Sequence, residues 1–244
     1  LAAEAGFEIL NNGGNAIDAG VAAGITLGVV HSDIVNVAGV APTLIWLAEK
    51  QEMVCIDGLG TWPKAVTPDF FQKFHGGKIP ETLLRTVVPA APAAWLTALS
   101  RYGTMSFGEV AASAIRFARE GFAVYPLFAE SIAGSEAGFR RWPENEAIYL
   151  PNGRPPLPGE RFVQSDLAKS LQYMADREAA KAGEGREAGI DALLAVLPED
   201  EPSIPLVLRL LRAPGKPVSG RRMMPSIAAI SREKSRITTA KTAG

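Results

Sequence analysis

The sequence is poor in the side chains that bind metals or form disulfides. Its 244 residues include one cysteine, Cys55, and two histidines, His31 and His75. A single cysteine excludes a disulfide within the chain, and so few thiols and imidazoles exclude a multi-cysteine or histidine-rich metal centre. We therefore expect no metal and no organic cofactor. The cysteine content fits a reducing compartment and favours the cytoplasm, with the periplasm as the alternative if a signal peptide was lost with the N-terminus.

The sequence also lacks an apolar run of the roughly 20 residues that a membrane-spanning helix needs. Its most apolar stretch is Ala19–Val30, in which Gly20, Gly24 and Gly28 recur every four residues and so share one helix face. This pattern predicts a buried helix that a neighbouring element approaches closely, rather than a helix that associates inside a membrane. We expect no membrane partner.

Aromatic residues are missing from the last part of the chain, where Tyr173 is the final one. From Leu193 onward there are nine Lys or Arg and four Asp or Glu, whereas the preceding part is acidic. We therefore divide the chain into a globular region, residues 1–190, and a basic, Pro-containing tail, residues 191–244. The tail is interpreted as disordered or as the product of a frame-shifted or truncated gene, with a native basic extension as the alternative. Without interleaved aromatics it does not predict nucleic-acid binding.

The first 30 residues have the pattern of two helices joined by a tight corner. Gly13-Gly14 ends the first helix, because glycine readily adopts the backbone conformation of a helix C-terminus. Asn15 is a favourable N-cap for the second helix, and Asp18 lies in its first turn. A phosphate-binding loop would need a preceding strand and a different glycine spacing, so the two glycines indicate a helix corner.

The remaining pattern is mostly helical with one hairpin, which predicts an α+β or layered fold and not a doubly wound parallel sheet. Two short apolar runs around a charged turn predict antiparallel strands at Thr43–Leu47 and Met53–Ile56. Residues 142–164 are rich in proline and are predicted to form a loop, with a short strand at Ala147–Leu150. Beyond Lys181 the helical pattern weakens. Predicted helices cover residues 1–11, 16–30, 91–102, 107–120, 127–133 and 166–180.

Three short segments are candidates for chemistry. Asp57-Gly58-Leu59-Gly60 follows a predicted strand, where backbone N–H groups often meet a ligand; the alternative is an ordinary turn. Trp62 is placed to cover a pocket beside it or to belong to the core. His31-Ser32-Asp33 contains the residue types of a catalytic triad, but consecutive residues do not adopt the triad geometry, so this run is interpreted as a turn near a site. Cys55, on an apolar strand, is interpreted as an inert thiol.

The order of these segments resembles the N-terminal region of the gamma-glutamyltranspeptidase family. The resemblance is carried by LAAEAGFEILNNGGNAIDAGVAAGITLGVVHS, VCIDGLGTWPKAVTPDFF, VVPAAPAAWLTALSRYGTMSFGEVAASAIRFAREGFAV and GERFVQSDLAKSLQYMA. It covers about residues 1–180 in the family's order.

This resemblance implies the helix-rich large-subunit part of a four-layer αββα N-terminal nucleophile hydrolase fold. Such precursors cleave themselves, and the new N-terminal Thr of a small subunit becomes the nucleophile with its own α-amine as base. The implied partners are a small-molecule amide, such as a γ-glutamyl compound, and that small catalytic subunit. Thr238-Thr239 is expected to be unstructured and not to be this nucleophile, so the chain alone is expected to be inactive and to contain no catalytic residue.

Two positions depart from the family's pattern. The stretch Asn36–Ala41 replaces a run of glycines, and Leu59 occupies the place of an Arg that binds the substrate's α-carboxylate. An Arg binds a carboxylate bidentately, and an apolar side chain cannot replace it. The alternatives are therefore an acylase or amidohydrolase with another acyl group, or a non-catalytic scaffold. The residues expected to line the substrate pocket are His31, Asp57, Leu59 and Trp62.

Overall fold

The structure, a computed structural model, describes residues 1–60, 66–195 and 237–240, the last four by their backbone. The described helices are α1 Ala2–Asn11, α2 Ala16–Val30, α3 Pro68–His75, α4 Ala91–Tyr102, α5 Phe107–Glu120, α6 Pro126–Gly134, α7 Glu136–Phe139, α8 Pro143–Tyr149, α9 Ser165–Ala179 and α10 Arg186–Ala195. The described strands are β1 Thr43–Leu47, β2 Glu52–Ile56, β3 Phe122–Ala123, β4 Arg161–Phe162 and β5 Ile237–Ala240.

The chain forms two compact units, each built from two stretches of sequence. Unit 1 consists of Leu1–Asn36 and Phe107–Asp176, and unit 2 consists of the described residues of Val37–Ser106 and of the chain from Arg177 onward. Residue 190, taken above as the end of the globular region, lies inside α10 and within unit 2.

The predicted helix corner at the start of unit 1 is confirmed. The Asn15 side chain accepts hydrogen bonds from the backbone N–H groups of Ile17 and Asp18, at 2.8 and 3.0 Å. The fully buried Asp18 carboxylate accepts in turn from the Asn15 backbone N–H at 2.9 Å, which completes a capping box. Helices α1 and α2 pack so closely that a Cβ on Gly6 would lie 2.9 Å from the carbonyl oxygen of Ala19. No helix of the described residues is long and apolar enough to cross a membrane.

The rest of unit 1 is organised around buried aromatic rings. Phe122 of β3 pairs with Phe162 of β4, and Phe162 meets the ring of Phe128 with centroids 5.0 Å apart. The predicted strand at Ala147–Leu150 is wrong, because its first three residues belong to helix α8 and Leu150 is the C-cap of that helix. Proline occupies the first turn of α8, where a backbone N–H would have no partner within the helix. At the end of α8, the ring of Tyr149 stacks on that of Phe139 with centroids 4.3 Å apart.

Unit 2 contains a three-stranded antiparallel sheet with the order β1-β2-β5. The predicted hairpin is confirmed, with Leu44 opposite Cys55 and Trp46 opposite Met53. The expectation that Thr238-Thr239 is unstructured is wrong. Both residues lie in β5, opposite Cys55 and Val54, because backbone pairing satisfies the hydrogen-bonding groups along one edge of β2.

Helix α10, where the sequence pattern was weak, packs on α4 in unit 2. Ile190 and Leu193 of α10 are buried. A Cβ on Gly189 would lie 2.9 Å from Cγ of Glu178, so the small residue permits close packing. Few apolar residues in α10 make these contacts, which explains why periodicity alone did not reveal the helix.

Candidate functional site

The loop Asp57–Gly60 of unit 2 is held in place by two close backbone approaches. The N–H of Ala41 donates to the carbonyl oxygen of Gly58 at 2.8 Å. A Cβ on Gly58 would lie 2.3 Å from the Ala41 carbonyl oxygen, and one on Gly60 would lie 2.3 Å from that of Val88. Both glycines also have positive φ angles, +56° and +72°. Glycine is therefore required at both positions, and the backbone between them is fixed.

This fixed loop presents two of the predicted pocket residues on the surface of unit 2. The Leu59 side chain is 53% exposed, and Asp57 is also exposed. The loop itself thus offers one apolar side chain and one carboxylate, and it contains no basic residue. The third predicted residue of this region, Trp62, lies outside the described residues. The placement of Asp57 and Leu59 suits contact with an uncharged group or a cation better than contact with a carboxylate.

The fourth predicted residue, His31, belongs to unit 1 and is part of a polar cluster. His31 follows the last residue of α2, and its Nδ1 lies 2.8 Å from Oδ1 of Asp33. The hydroxyl oxygen of Tyr125 lies 2.5 Å from the same Nδ1. The Asp33 side chain is 1% exposed and that of His31 is 24% exposed. A buried carboxylate therefore fixes the orientation of a partly accessible imidazole.

His31 and Asp33 make the imidazole–carboxylate contact of a triad, although consecutive residues are not expected to adopt triad geometry. The third member is not engaged, because Ser32 Oγ is buried and has no hydrogen-bond partner among the described residues. Asp33 Oδ2 is buried without a described partner as well. The arrangement orients an imidazole but does not activate the serine as a nucleophile.

Two tyrosines complete this cluster, and the hydroxyls of both interact electrostatically with the Asp33 carboxylate. Burial raises the pKa of the Tyr125 hydroxyl, and the Asp33 carboxylate raises it further. Burial is also the main cause of a raised pKa at Tyr149, whose hydroxyl donates a long hydrogen bond, 3.4 Å, to the Ser32 carbonyl oxygen. Both phenols therefore stay protonated at neutral pH and act as neutral hydrogen-bonding groups.

The two tyrosines are not predictable from local sequence, because they are remote in the chain. Tyr125 is 94 positions from His31, and Tyr149 is 117 positions from Ser32. The only local signal was the spacing of His31 and Asp33 directly after the end of a long helix, where a turn allows residues two apart to meet.

Neither the Asp57–Gly60 loop nor the His31 cluster lines a cleft of about 430 Å³ in the described part of the chain. That cleft lies in unit 1, and its lining includes Leu1, Glu4, Phe7, Glu8, Ser113, Arg116 and Phe117. Among the residues that the structure describes, no group of three His, Cys, Asp or Glu side chains is placed to hold a metal ion.

Comparison with known proteins shows which family the sequence resembles. A family model described as gamma-glutamyltranspeptidase matches residues 2–189. The acylase ACY 1 proenzyme of Pseudomonas sp. (strain V22) is 38% identical over 185 residues, which cover 72% of this chain and 33% of that protein. The glutathione hydrolase proenzyme of Escherichia coli (strain K12) is 34% identical over 181 residues, which cover 72% of this chain and 31% of that protein.

Comparison with solved structures also finds similar proteins. The crystal structure of Helicobacter pylori gamma-glutamyltranspeptidase matches with a TM-score of 0.67 and 31% sequence identity, over 72% of this chain and 51% of that chain. The predicted α+β fold, a helix-rich portion of the N-terminal nucleophile hydrolase fold, is confirmed. The chain spans about one third of the length of the curated relatives it matches. On this evidence the chain belongs to the gamma-glutamyltranspeptidase family.

Proposed function

We propose that this chain is the large-subunit part of an enzyme that cleaves or transfers an acyl group from an amide, and that it works with a small catalytic subunit. The observation that carries the proposal is an apolar face of the sheet in unit 2 that the described residues leave exposed. Leu44 and Trp46 are 70% and 49% exposed on that face, and their cross-strand partners are Cys55 and Met53. Such a patch on a sheet is typical of a surface that another protein layer covers.

The opposite face of the same sheet is already covered. Ile45 and Val54 point the other way and are buried, and α4 contacts β2 in this unit. Successive residues of a strand alternate between faces, so this hairpin is apolar on both sides. A sheet of that kind is stable in water only when both faces are packed. We infer that the small subunit supplies the missing layer.

The nucleophile is proposed to come from the small subunit and not from Thr238 or Thr239. An N-terminal nucleophile needs a free α-amine to act as its base. The nitrogens of Thr238 and Thr239 are amides inside β5, which begins one residue earlier at Ile237. Neither nitrogen is therefore a base in the intact chain.

The single cysteine provides a direct test of the covered face. Cys55 is partly exposed and is the only thiol, so a thiol reagent modifies this face alone. We would co-express the chain with the small-subunit part of the Pseudomonas acylase and compare the rate of thiol modification with that of the chain alone. We expect the rate to fall at least tenfold in the complex. An unchanged rate for a co-purifying complex would contradict docking at this face.

A matched pair of variants separates docking from folding. Leu44→Lys places a charge on the proposed interface and should prevent co-purification of the two subunits. Leu127→Lys changes a similarly exposed leucine on α6, in unit 1, and should not. Equal loss in both variants would show that the effect is general insolubility and not docking.

The acyl group is proposed to differ from γ-glutamyl, with Asp57 and Leu59 of unit 2 as residues that contact the substrate, whereas His31 and Trp62 stay predictions from the sequence. The supporting observation is that Leu59 projects from a fixed loop that has no basic side chain. A charge-assisted hydrogen bond contributes about 1.5–3 kcal/mol, so Leu59→Arg should raise turnover of a γ-glutamyl anilide by the complex roughly 10- to 100-fold. Leu157→Arg, at another exposed leucine, is the control and should have no effect. If Leu59→Arg leaves γ-glutamyl turnover unchanged, Leu59 does not set acyl specificity.

A further inference from the structure

The cleft of about 430 Å³ in unit 1 is lined by residues of helices α1 and α5, and the two helices bring charges of opposite sign to it. Glu4 and Glu8 line it from α1, one helical turn apart, and Arg116 lines it from α5. Phe7 and Phe117 add one aromatic ring from each helix. A volume of roughly 300–1,000 Å³ with a mixed apolar and polar lining is typical of sites that bind small molecules.

A buried hydroxyl group at this cleft holds one of the carboxylates in place. Ser113 is only 8% exposed, and its Oγ donates a hydrogen bond of 2.8 Å to Oε2 of Glu8. Because this contact joins α5 to α1, it fixes the position of a carboxylate that is otherwise on the surface. A carboxylate has more acceptor sites than this one bond uses, so Glu8 can also accept from a ligand.

Arg116 is held beside this carboxylate without pairing with it. Its guanidinium carbon lies 4.6 Å from the centroid of the Phe117 ring, which is a cation–π contact, and its Nη2 lies 3.5 Å from Ser113 Oγ. Glu8 and Arg116 thus contact the same hydroxyl group, yet among the described residues no carboxylate forms an ion pair with Arg116. The gap between the two charges is too wide for a direct ion pair, and a ligand that carries both a cation and an anion is complementary to it.

We propose that this cleft binds a free α-amino acid with an apolar side chain. The ammonium group of the ligand donates to Glu8, and Glu4 adds a second negative charge one turn away. The ligand's carboxylate accepts from Arg116, whose planar guanidinium suits a carboxylate, and its side chain contacts Phe7, which is 63% exposed. All these residues belong to unit 1, so the site shares no residue with the acyl site or the interface proposed for unit 2.

The test measures the binding of three probes to the 244-residue chain at low ionic strength by ligand-observed NMR. L-Phenylalanine carries both charges, phenethylamine lacks the carboxylate, and 3-phenylpropionate lacks the ammonium group. We expect saturable binding of L-phenylalanine with a dissociation constant on the order of 1 mM. The two other probes should bind at least about threefold more weakly, because each loses one charged contact. The absence of saturable L-phenylalanine binding would overturn the proposal, and equal affinities for the three probes would overturn it in favour of apolar contact alone.

Two variants assign the charges to their residues. Arg116→Gln should weaken the binding of L-phenylalanine and of 3-phenylpropionate about 3- to 10-fold and leave that of phenethylamine unchanged. Glu8→Gln should weaken L-phenylalanine and phenethylamine by a similar factor but not 3-phenylpropionate, and its amide oxygen can still accept from Ser113. Arg119→Gln and Glu120→Gln, at exposed residues of α5 that do not line the cleft, are the matched controls and should change nothing.

The opposite selectivity of the two variants separates recognition of the ligand from a structural effect. Every substituted residue is exposed, so the variants should fold, which circular dichroism checks. A loss for Arg119→Gln equal to that for Arg116→Gln would overturn the proposal, because it would indicate a general effect of surface charge. Weaker binding of all three probes in either cleft variant would overturn it as well, since neither charge would then recognise its own counterpart.

Discussion

Arg186 of α10 donates a hydrogen bond of 3.1 Å to the carbonyl oxygen of Leu99 in the last turn of α4. Two longer contacts, of 3.5 Å each, join the same guanidinium to the carbonyl oxygens of Met105 and Ser100. The Leu99 carbonyl oxygen also accepts from the N–H of the cap residue Gly103, at 2.9 Å, and a cation beside the end of a helix interacts favourably with the helix dipole. Arg186 belongs to α10, a helix that the sequence pattern did not predict. It thus stabilises the C-terminal end of α4, a helix that the pattern did predict.

Removing this contact should destabilise unit 2. We expect Arg186→Ala to lower the free energy of unfolding by about 1–3 kcal/mol, because partly buried carbonyl groups lose a charged donor. Urea unfolding followed by circular dichroism measures the change. Arg101→Ala, an exposed residue in the last turn of α4, is the control and should cost less than about 0.5 kcal/mol. Equal losses in the two variants would mean that helix charge, and not the hydrogen bonds, accounts for the effect.

The capping box of α2 should be sensitive to either of its members. Asn15→Ala removes the acceptor for two backbone N–H groups and should cost about 1 kcal/mol of stability. The exposed loop residue Asn36 provides a matched control, since Asn36→Ala removes the same side chain without a cap. Thermal unfolding of both variants measures the difference. A midpoint for Asn15→Ala equal to that of the wild type would show that solvent replaces the cap without cost.

The glycines of the Asp57–Gly60 loop should not tolerate a methyl group. We expect Gly58→Ala to destabilise the chain by at least about 1–3 kcal/mol, because a positive φ and a backbone clash at 2.3 Å coincide there. Gly20→Ala is the opposite case, since Gly20 lies within α2 with nothing within 4 Å of an added Cβ. We expect Gly20→Ala to raise the free energy of unfolding by about 0.5–1 kcal/mol, because alanine has a higher helix propensity than glycine. Urea midpoints that fall for both variants would contradict this account of Gly20.

Acid should break the ion pair of Glu160 with Arg154. The guanidinium of Arg154, followed by the backbone N–H of Leu157, lowers the pKa of the Glu160 carboxyl from 4.5 to about 2. A folded-state pKa below that of the unfolded chain gives stability that is present above pH 4.5 and is lost as the pH falls toward 2. Glu160→Gln should therefore flatten the pH dependence of stability in that window.

The carboxyl carbon chemical shift of Glu160, followed by NMR between about pH 2 and 6, reports the titration of this group directly. That pH range extends roughly two units on either side of the ordinary Glu pKa. Glu130→Gln, at an exposed glutamate of α6, is the control for the loss of one carboxylate from the surface. A Glu160 titration midpoint near the ordinary value would contradict the ion pair in solution.

Local chemistry made several elements predictable from sequence. The corner at Gly13-Gly14, the cap at Asn15 and the hairpin around residues 48–51 each depend on residues within a few positions of one another. Helix α8 was missed for the opposite reason. Its region is rich in proline, which suggested a loop, although Pro143 stands at the one helix position where proline fits well.

The family, most helix boundaries and the hairpin are predictable from local sequence, because capping residues, glycines and apolar periodicity act over short distances. Three contacts depend instead on the folded chain: Tyr125 with His31, β5 with β2, and Arg186 with the end of α4. Each of these contacts joins residues more than 80 positions apart, and its partners are selected by packing and by the satisfaction of buried polar groups. No local pattern encodes such a choice, because it depends on the whole fold being formed.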